Sequence, residues 1–258
     1  MDPKPMSTAF RWFARFRSLA WAFGLLVAPG VVGAEPDPKD LPPDGPELAA
    51  ELRSRAPDPE VQVTATLSVR EPGKLRRLHP VQIVNKQTAT GWTVRYEVFG
   101  AGADEKRILE ILEVDASANV SPSYRWQRRE GDSLRDVPTP GAEQRLGDSD
   151  FSFADLGLEF LFWPKQKITG RETRRTRECL VLESKPERTG QGYARVVSWI
   201  DIKTRQMIRA EAFDAAGTKV KMFKPDEFVY AKGHWQVKQL AIESPQRGTE
   251  SYLLFKTR

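Results

Sequence analysis

Few side chains in this 258-residue sequence have the type and spacing that chemistry requires. The two histidines are the ordinary candidates for metal ligation or proton transfer, but His79 stands just before Pro80 and His234 beside Trp235. Neither has a histidine partner at i+3 or i+4, so a metal site would have to be assembled from distant carboxylates. No metal and no cofactor is expected. The single cysteine, Cys179, sits among Leu180, Val181 and Leu182 in a strand-like run, where a thiol is buried and inert rather than nucleophilic. Asp148, Asp150 and Asp155 lie close together but lack the glycines and oxygen ligands of a calcium loop, and read as a polar lead-in and a helix cap. There is no Gly-x-Ser-x-Gly elbow, phosphate-binding glycine loop or dinucleotide fingerprint. The sequence therefore predicts a protein that is not an enzyme; a hydrolase built on His79 or His234 is the weakest alternative.

The chemistry that remains is apolar contact. The stretch Gly147 to Lys165, GDSDFSFADLGLEFLFWPK, is the most concentrated apolar segment after the N-terminal residues. Ser152 followed by Asp155 is a capping-box pattern and Pro164 a natural stop, which predicts a short helix from Ser152 to Trp163. Phe153, Leu156, Phe160 and Leu161 share one face, while Leu158, Phe162 and Trp163 fall elsewhere, leaving Asp155 and Glu159 as a thin polar stripe. Either the helix is buried on several sides, or part of it faces an apolar ligand. The densest charge cluster, Arg171, Arg174, Arg175 and Arg177, is either a solvated hairpin tip or a contact for anionic headgroups or an acidic partner.

The elements that must position these residues are mostly strands. From Val61 to Arg70 apolar and polar residues alternate, the clearest half-buried strand. Strand-like runs follow at Leu78–Asn85, Gly91–Phe99, Arg107–Val114 and Pro122–Arg129, before a surface loop from Arg129 to Leu146. In the second of these runs Trp92, Val94, Tyr96 and Val98 form one apolar face. Beyond Pro164 come Lys167–Thr173, Glu178–Ser184, Gly192–Asp201, Gln206–Asp214, Thr218–Phe223, Glu227–Tyr230, His234–Glu243 and Glu250–Lys256. Asp44, Pro46, Leu48, Ala49 and Leu52 mark a first short helix. The fold class is mainly β (α+β), an antiparallel sheet that must curl or be covered to hide its apolar face.

Lys4, Arg11, Arg15 and Arg17 precede the apolar run Leu19–Val32, which ends in Val32-Gly33-Ala34. Residues 1–34 thus read as a cleavable signal peptide, cut between Ala34 and Glu35, with an uncleaved anchor as the lesser reading. Residues 35–43 are a Pro- and Asp-rich tether, and 44–258 a single domain. The formal charge of +5 owes much to the leader; without its four basic residues and Asp2, 36 Lys and Arg face 34 Asp and Glu. That balance, with aromatics placed among Val and Leu at alternating positions, speaks against nucleic acid. No cysteine stands directly after the leader, where Glu35 is found, so the exported chain is expected not to be lipid-anchored itself.

Four segments carry a resemblance: LEFLFWPKQKITGRETRR at Leu158–Arg175, VVSWID at Val196–Asp201, IRAEAFDAAGTKVKMF at Ile208–Phe223 and GHWQVKQLAIES from Gly233. Together they resemble the bacterial outer-membrane lipoprotein-sorting protein family, the LolA-like group. The resemblance implies a strongly curved antiparallel sheet forming an incomplete β-barrel, closed by short helices. It further implies a periplasmic carrier that holds lipid or lipoprotein acyl chains between an inner-membrane donor transporter and an outer-membrane acceptor. On that reading Phe151, Phe153, Leu156, Leu158, Phe160, Leu161 and Trp163 supply lid contacts, Trp92, Val94, Tyr96 and Val98 part of the wall, and the protein is expected to act as a monomer. The alternative is a non-enzymatic periplasmic sensor or scaffold of the same fold that binds a protein partner.

Overall fold

The computed structural model describes residues 44–54, 62–74, 76–89, 91–117, 120–188, 192–231 and 234–256, without the side chains of 227–231 and 234–236. The expected leader, its cleavage point and the tether lie outside the described residues, as does the side chain of His234. The first helix, α1 (Gly45–Ser54), forms where the capping pattern places it. Asp44 Oδ1 accepts from the Glu47 N–H at 3.0 Å, and Leu48, Ala49 and Leu52 are buried. No helix of the described residues is long and apolar enough to cross a membrane.

Two antiparallel meanders follow. The first comprises β1 (Gln62–Arg70), β2 (Arg77–Gln87), β3 (Gly91–Phe99), β4 (Ile108–Ser117), β5 (Val120–Glu130) and β6 (Ser133–Val137). The second comprises β7 (Lys165–Arg174), β8 (Arg177–Lys185), β9 (Arg195–Asp201), β10 (Met207–Phe213), β11 (Lys219–Ala231), β12 (His234–Ser244) and β13 (Thr249–Phe255). Pairing of β1 with β13 fuses them into one 13-stranded sheet, ordered β6-β5-β4-β3-β2-β1-β13-β12-β11-β10-β9-β8-β7. The sheet is curved and does not close. Register shifts in β7, β10 and β11 add bends of the kind β-bulges impose.

Alternation sends one side of each strand into a common concave core. Trp126, Leu112, Tyr96, Ile83 and Val63 stand opposite one another across β5 to β1, and all are buried. The second meander contributes Leu180, Leu182, Val196, Ile200, Phe223, Leu240 and Leu253. A smaller cluster of Cys179, Val181, Trp199 and Ile208 lies outside this core.

Three expectations need correction. The supposed loop from Arg129 to Leu146 contains β6, whose residues are all exposed or only partly buried, so it lacks the apolar face that would announce it. The separate runs Thr218–Phe223 and Glu227–Tyr230 are one strand, β11, which passes through Pro225 by shifting register on either side of Glu227. The helix expected over Ser152–Trp163 is broken. It consists of α2 (Phe153–Leu156), ended by Gly157, and a 3-10 turn at Glu159–Phe162, with Leu158 between them in the left-handed region at φ 49°. Gly157 packs so closely on β5 that a Cβ there would stand 2.9 Å from the Tyr124 hydroxyl and 3.0 Å from Pro122.

Candidate functional site

Between β6 and β7 the chain crosses the concave face, from Arg145 to Trp163. It enters through a tight turn in which Gly147 and Asp148 are both left-handed, φ 58° and 53°. A Cβ on Gly147 would meet Leu67 Cδ2 at 2.7 Å, and its N–H donates to the Glu110 carboxylate. Glu110 also accepts from Trp126 Nε1 at 3.2 Å, and burial pushes its carboxyl above the usual range.

The capping box forms as the sequence indicates. Ser152 Oγ accepts from the Asp155 N–H at 3.2 Å, and Asp155 Oδ2 from the Ser152 N–H at 2.8 Å. Phe151, Phe153, Leu156, Phe160 and Leu161 are all within 2% of full burial and belong to the concave core. The Phe153 ring stands edge-on to Trp126 at 5.3 Å and tilted against Tyr124 at 5.8 Å. Leu158, Phe162 and Trp163 are only partly buried. The face bearing Phe153, Leu156 and Phe160 is therefore the one that looks into the sheet, and its side chains fill the space there.

Sequence reasoning missed a buried polar network that fastens this segment. Asp155, fully buried, accepts from Lys221 Nζ at 2.7 Å and from the Tyr193 hydroxyl at 2.8 Å. Lys221 also donates to the Asp150 carbonyl at 2.7 Å. The Asp150 carboxylate, 1% exposed, accepts from Arg247 at 2.9 Å, Thr249 at 2.7 Å and Ser251 at 2.8 Å. With so many donors both carboxylates are satisfied, which is the condition for burying charge. The partners lie far off in sequence. The signal available was parity: Lys221 stands opposite Ala212 and shares the inward face with Phe223, an unusual place for a lysine.

Farther along, the fastening is of another kind. Gln166 Nε2 donates to the carbonyls of Phe160 at 2.9 Å and Trp163 at 2.8 Å, and is itself held by Ser184. Arg53 of α1 donates to the Leu161 carbonyl and lies 5.3 Å over the Phe162 ring. The Tyr124 hydroxyl donates to Glu159 at 3.1 Å, whose carboxyl is raised chiefly by burial.

The expected wall residues Val94, Tyr96 and Val98 are buried in the concave face with Trp92 partly so. The arginine cluster is gathered at the β7–β8 hairpin but is largely engaged. Arg174 pairs with Glu172 and stacks 4.7 Å over Trp199, Arg175 donates to the Pro225 carbonyl, and Arg177 pairs with Asp201 at 2.8 Å. Among the described residues only Arg171 of the four makes no side-chain hydrogen bond or ion pair. His79 Nδ1 is 3.1 Å from the Phe99 carbonyl, and as a carbonyl only accepts, that nitrogen carries the proton. Burial pushes the Cys179 thiol up to about 11. A cleft of about 580 Å³ beside Gly147 is lined by Arg77, His79, Arg107, Arg128, Arg129 and Glu110. Among the described residues no group of three or more His, Cys, Asp or Glu could hold a metal ion.

A family model described as "Uncharacterized protein" matches residues 132–258. Among curated proteins none matches significantly. Solved structures do. A DUF1329 family protein from Desulfovibrio piger superposes with a TM-score of 0.67 at 18% identity, covering 83% of this chain and 90% of that one. A domain from Vibrio parahaemolyticus described as outer-membrane lipoprotein-sorting gives 0.68 at 14% identity, covering 83% and 90%. A LolA superfamily protein from Nitrosomonas europaea gives 0.58 at 15% identity, covering 82% and 89%. The chain has the LolA-like fold.

Proposed function

We propose that the protein is a non-enzymatic periplasmic carrier that binds lipid or lipoprotein acyl chains for transfer toward the outer membrane. On this reading it receives them from an inner-membrane donor and yields them to an outer-membrane acceptor. The observation that carries the proposal is the apolar inner face of an unclosed sheet, covered by a separate crossing segment whose Phe160 and Leu161 occupy volume an acyl chain could take. The likeness in fold to lipoprotein-sorting and LolA superfamily proteins supports it.

The energetics suit a carrier. An acyl chain of roughly fourteen methylenes at about 0.8 kcal/mol each loses on the order of 11 kcal/mol on exposure to water. A chain that enters by displacing phenyl and isobutyl groups exchanges one apolar contact for another, so capture is favourable without being irreversible. To test this, protein purified from its native compartment is extracted with organic solvent and the extract examined by mass spectrometry, beside titration with an apolar fluorescent dye. Co-purifying acyl lipid and saturable dye binding are expected; a lipid-free extract together with no dye binding would sink the proposal.

One observation favours a second reading, a sensor or scaffold that binds a protein partner. The concave face is densely filled, with Phe151 and Phe153 wholly buried. A scaffold needs no hollow, and for it the dye titration gives no signal while a partner is retained.

A further inference from the structure

We infer that Asn85 and Tyr96 form a polar station within the concave face that receives the carbonyl group of an acyl ester or N-acyl amide. This rests on the carrier reading and specifies which part of the cargo the apolar face recognises. Both side chains are wholly buried, and neither the Asn85 amide nitrogen, nor its oxygen, nor the Tyr96 hydroxyl has a hydrogen-bond partner. Both point inward. Asn85 stands opposite Val94, and Tyr96 stands between Ile83 and Leu112, all buried members of the concave core. Because Tyr96 faces Ile83, two residues before Asn85 on the same strand, the two are diagonal neighbours, roughly 7–8 Å apart at Cα for such pairs.

An orphaned polar group in an apolar interior is costly, and natural proteins keep few of them. Sheets fill such positions with Val, Ile or Phe at no loss, and Tyr96→Phe would differ by one oxygen. Two orphans side by side on adjacent strands are what a site for a polar atom looks like when the rest of its ligand is hydrocarbon. The chemistry selects the atom. Burial holds the Tyr96 phenol protonated far above neutral pH, so it is a donor. The Asn85 amide, free at both ends, can also turn its NH₂ toward an acceptor. Two donors on adjacent strands of one face suit a carbonyl oxygen with its two lone pairs, and the carbonyl is the one strong acceptor that acyl esters and N-acyl amides share at the head of their chains. The site would thus set how deeply the chain is inserted.

The test compares the diester dihexanoylphosphatidylcholine with its diether counterpart, which keeps the chains and headgroup but lacks the carbonyls. Binding is followed by displacement of an apolar dye from the purified protein. The diester is expected to bind about tenfold more tightly than the diether, and Asn85→Leu with Tyr96→Phe to abolish that difference. The same pair of substitutions should leave the melting temperature of the lipid-free protein equal or higher, a result that loss of a structural hydrogen bond could not give. Equal binding of the two lipids to the unaltered protein, or a preference that survives in Tyr96→Phe and in the double variant, would overturn the site while leaving the carrier reading intact. Failure of both lipids to bind would remove both.

Discussion

The two halves of the crossing segment are attached to the same sheet by opposite means. From Leu146 to Leu156 it is held by two buried carboxyl groups, Asp150 and Asp155, meeting Lys221, Arg247, Tyr193, Thr249 and Ser251. From Glu159 to Trp163 it is held by Gln166 and Arg53 on backbone carbonyls, by the Tyr124 hydroxyl on Glu159 and by apolar packing. Directional charge fixes a position; apolar contact tolerates substitution by another apolar surface. The first half is thus an anchor, the second an exchangeable cover, and the left-handed Leu158 lies where they meet.

The largest effect should come from the anchor. Lys221→Met leaves the fully buried Asp155 without its cation, and a loss of about 3–5 kcal/mol is expected in urea unfolding. A loss under about 1 kcal/mol, as for a surface ion pair, would erase the contrast between the halves. Next is Phe160→Ala, expected to cost about 3–4 kcal/mol by opening a cavity, against roughly half that for the partly exposed Phe162. If the cover is exchangeable, Phe160→Ala should also raise apolar dye binding.

Burial raises the Glu159 carboxyl above its ordinary 4.5, so between that value and the raised one the folded chain binds more protons than the unfolded chain. Stability in that window falls as pH rises. Glu159→Gln should therefore match the unaltered protein below pH 4.5 and exceed it at neutral pH, read as melting temperature across a pH series. The smallest effect is expected at the junction. Leu158→Gly exchanges lost apolar contact for relief of a left-handed backbone and should fall within about 1 kcal/mol of zero, whereas Leu156→Ala should cost about 2–5 kcal/mol.

What could be read from the sequence tracks what is local. The alternation Val63, Ala65, Leu67 dictates β1, and Trp92 to Val98 dictates β3 with its boundaries. The capping pair Ser152 and Asp155 is visible because both partners lie within one turn. The break after Leu156 is not, because it depends on Gly157 lying against Pro122 and Tyr124, more than thirty residues away. Asp150 reads as a polar lead-in until Ser251 and Arg247 are brought to it by the pairing of β1 with β13 and the β12–β13 turn. Asn85 and Tyr96 fit their strands by parity alone, and only the pairing register shows that their neighbours leave them without partners.

The ends of the sheet carry a last consequence. β6 and β7 occupy opposite ends of the strand order, and both bear charge along their free rims, Arg135 and Asp136 on one, Lys165, Lys167 and Arg171 on the other. A closed barrel has a circumference set by strand number and shear, and changing it means breaking ladder hydrogen bonds. Here there is a seam instead, with no ladder across it, so the girth of the sheet can alter by flexing alone. On the carrier reading proposed above, acyl chains of different bulk could then share one face, and the charges along the free edges disfavour pairing with a neighbouring molecule.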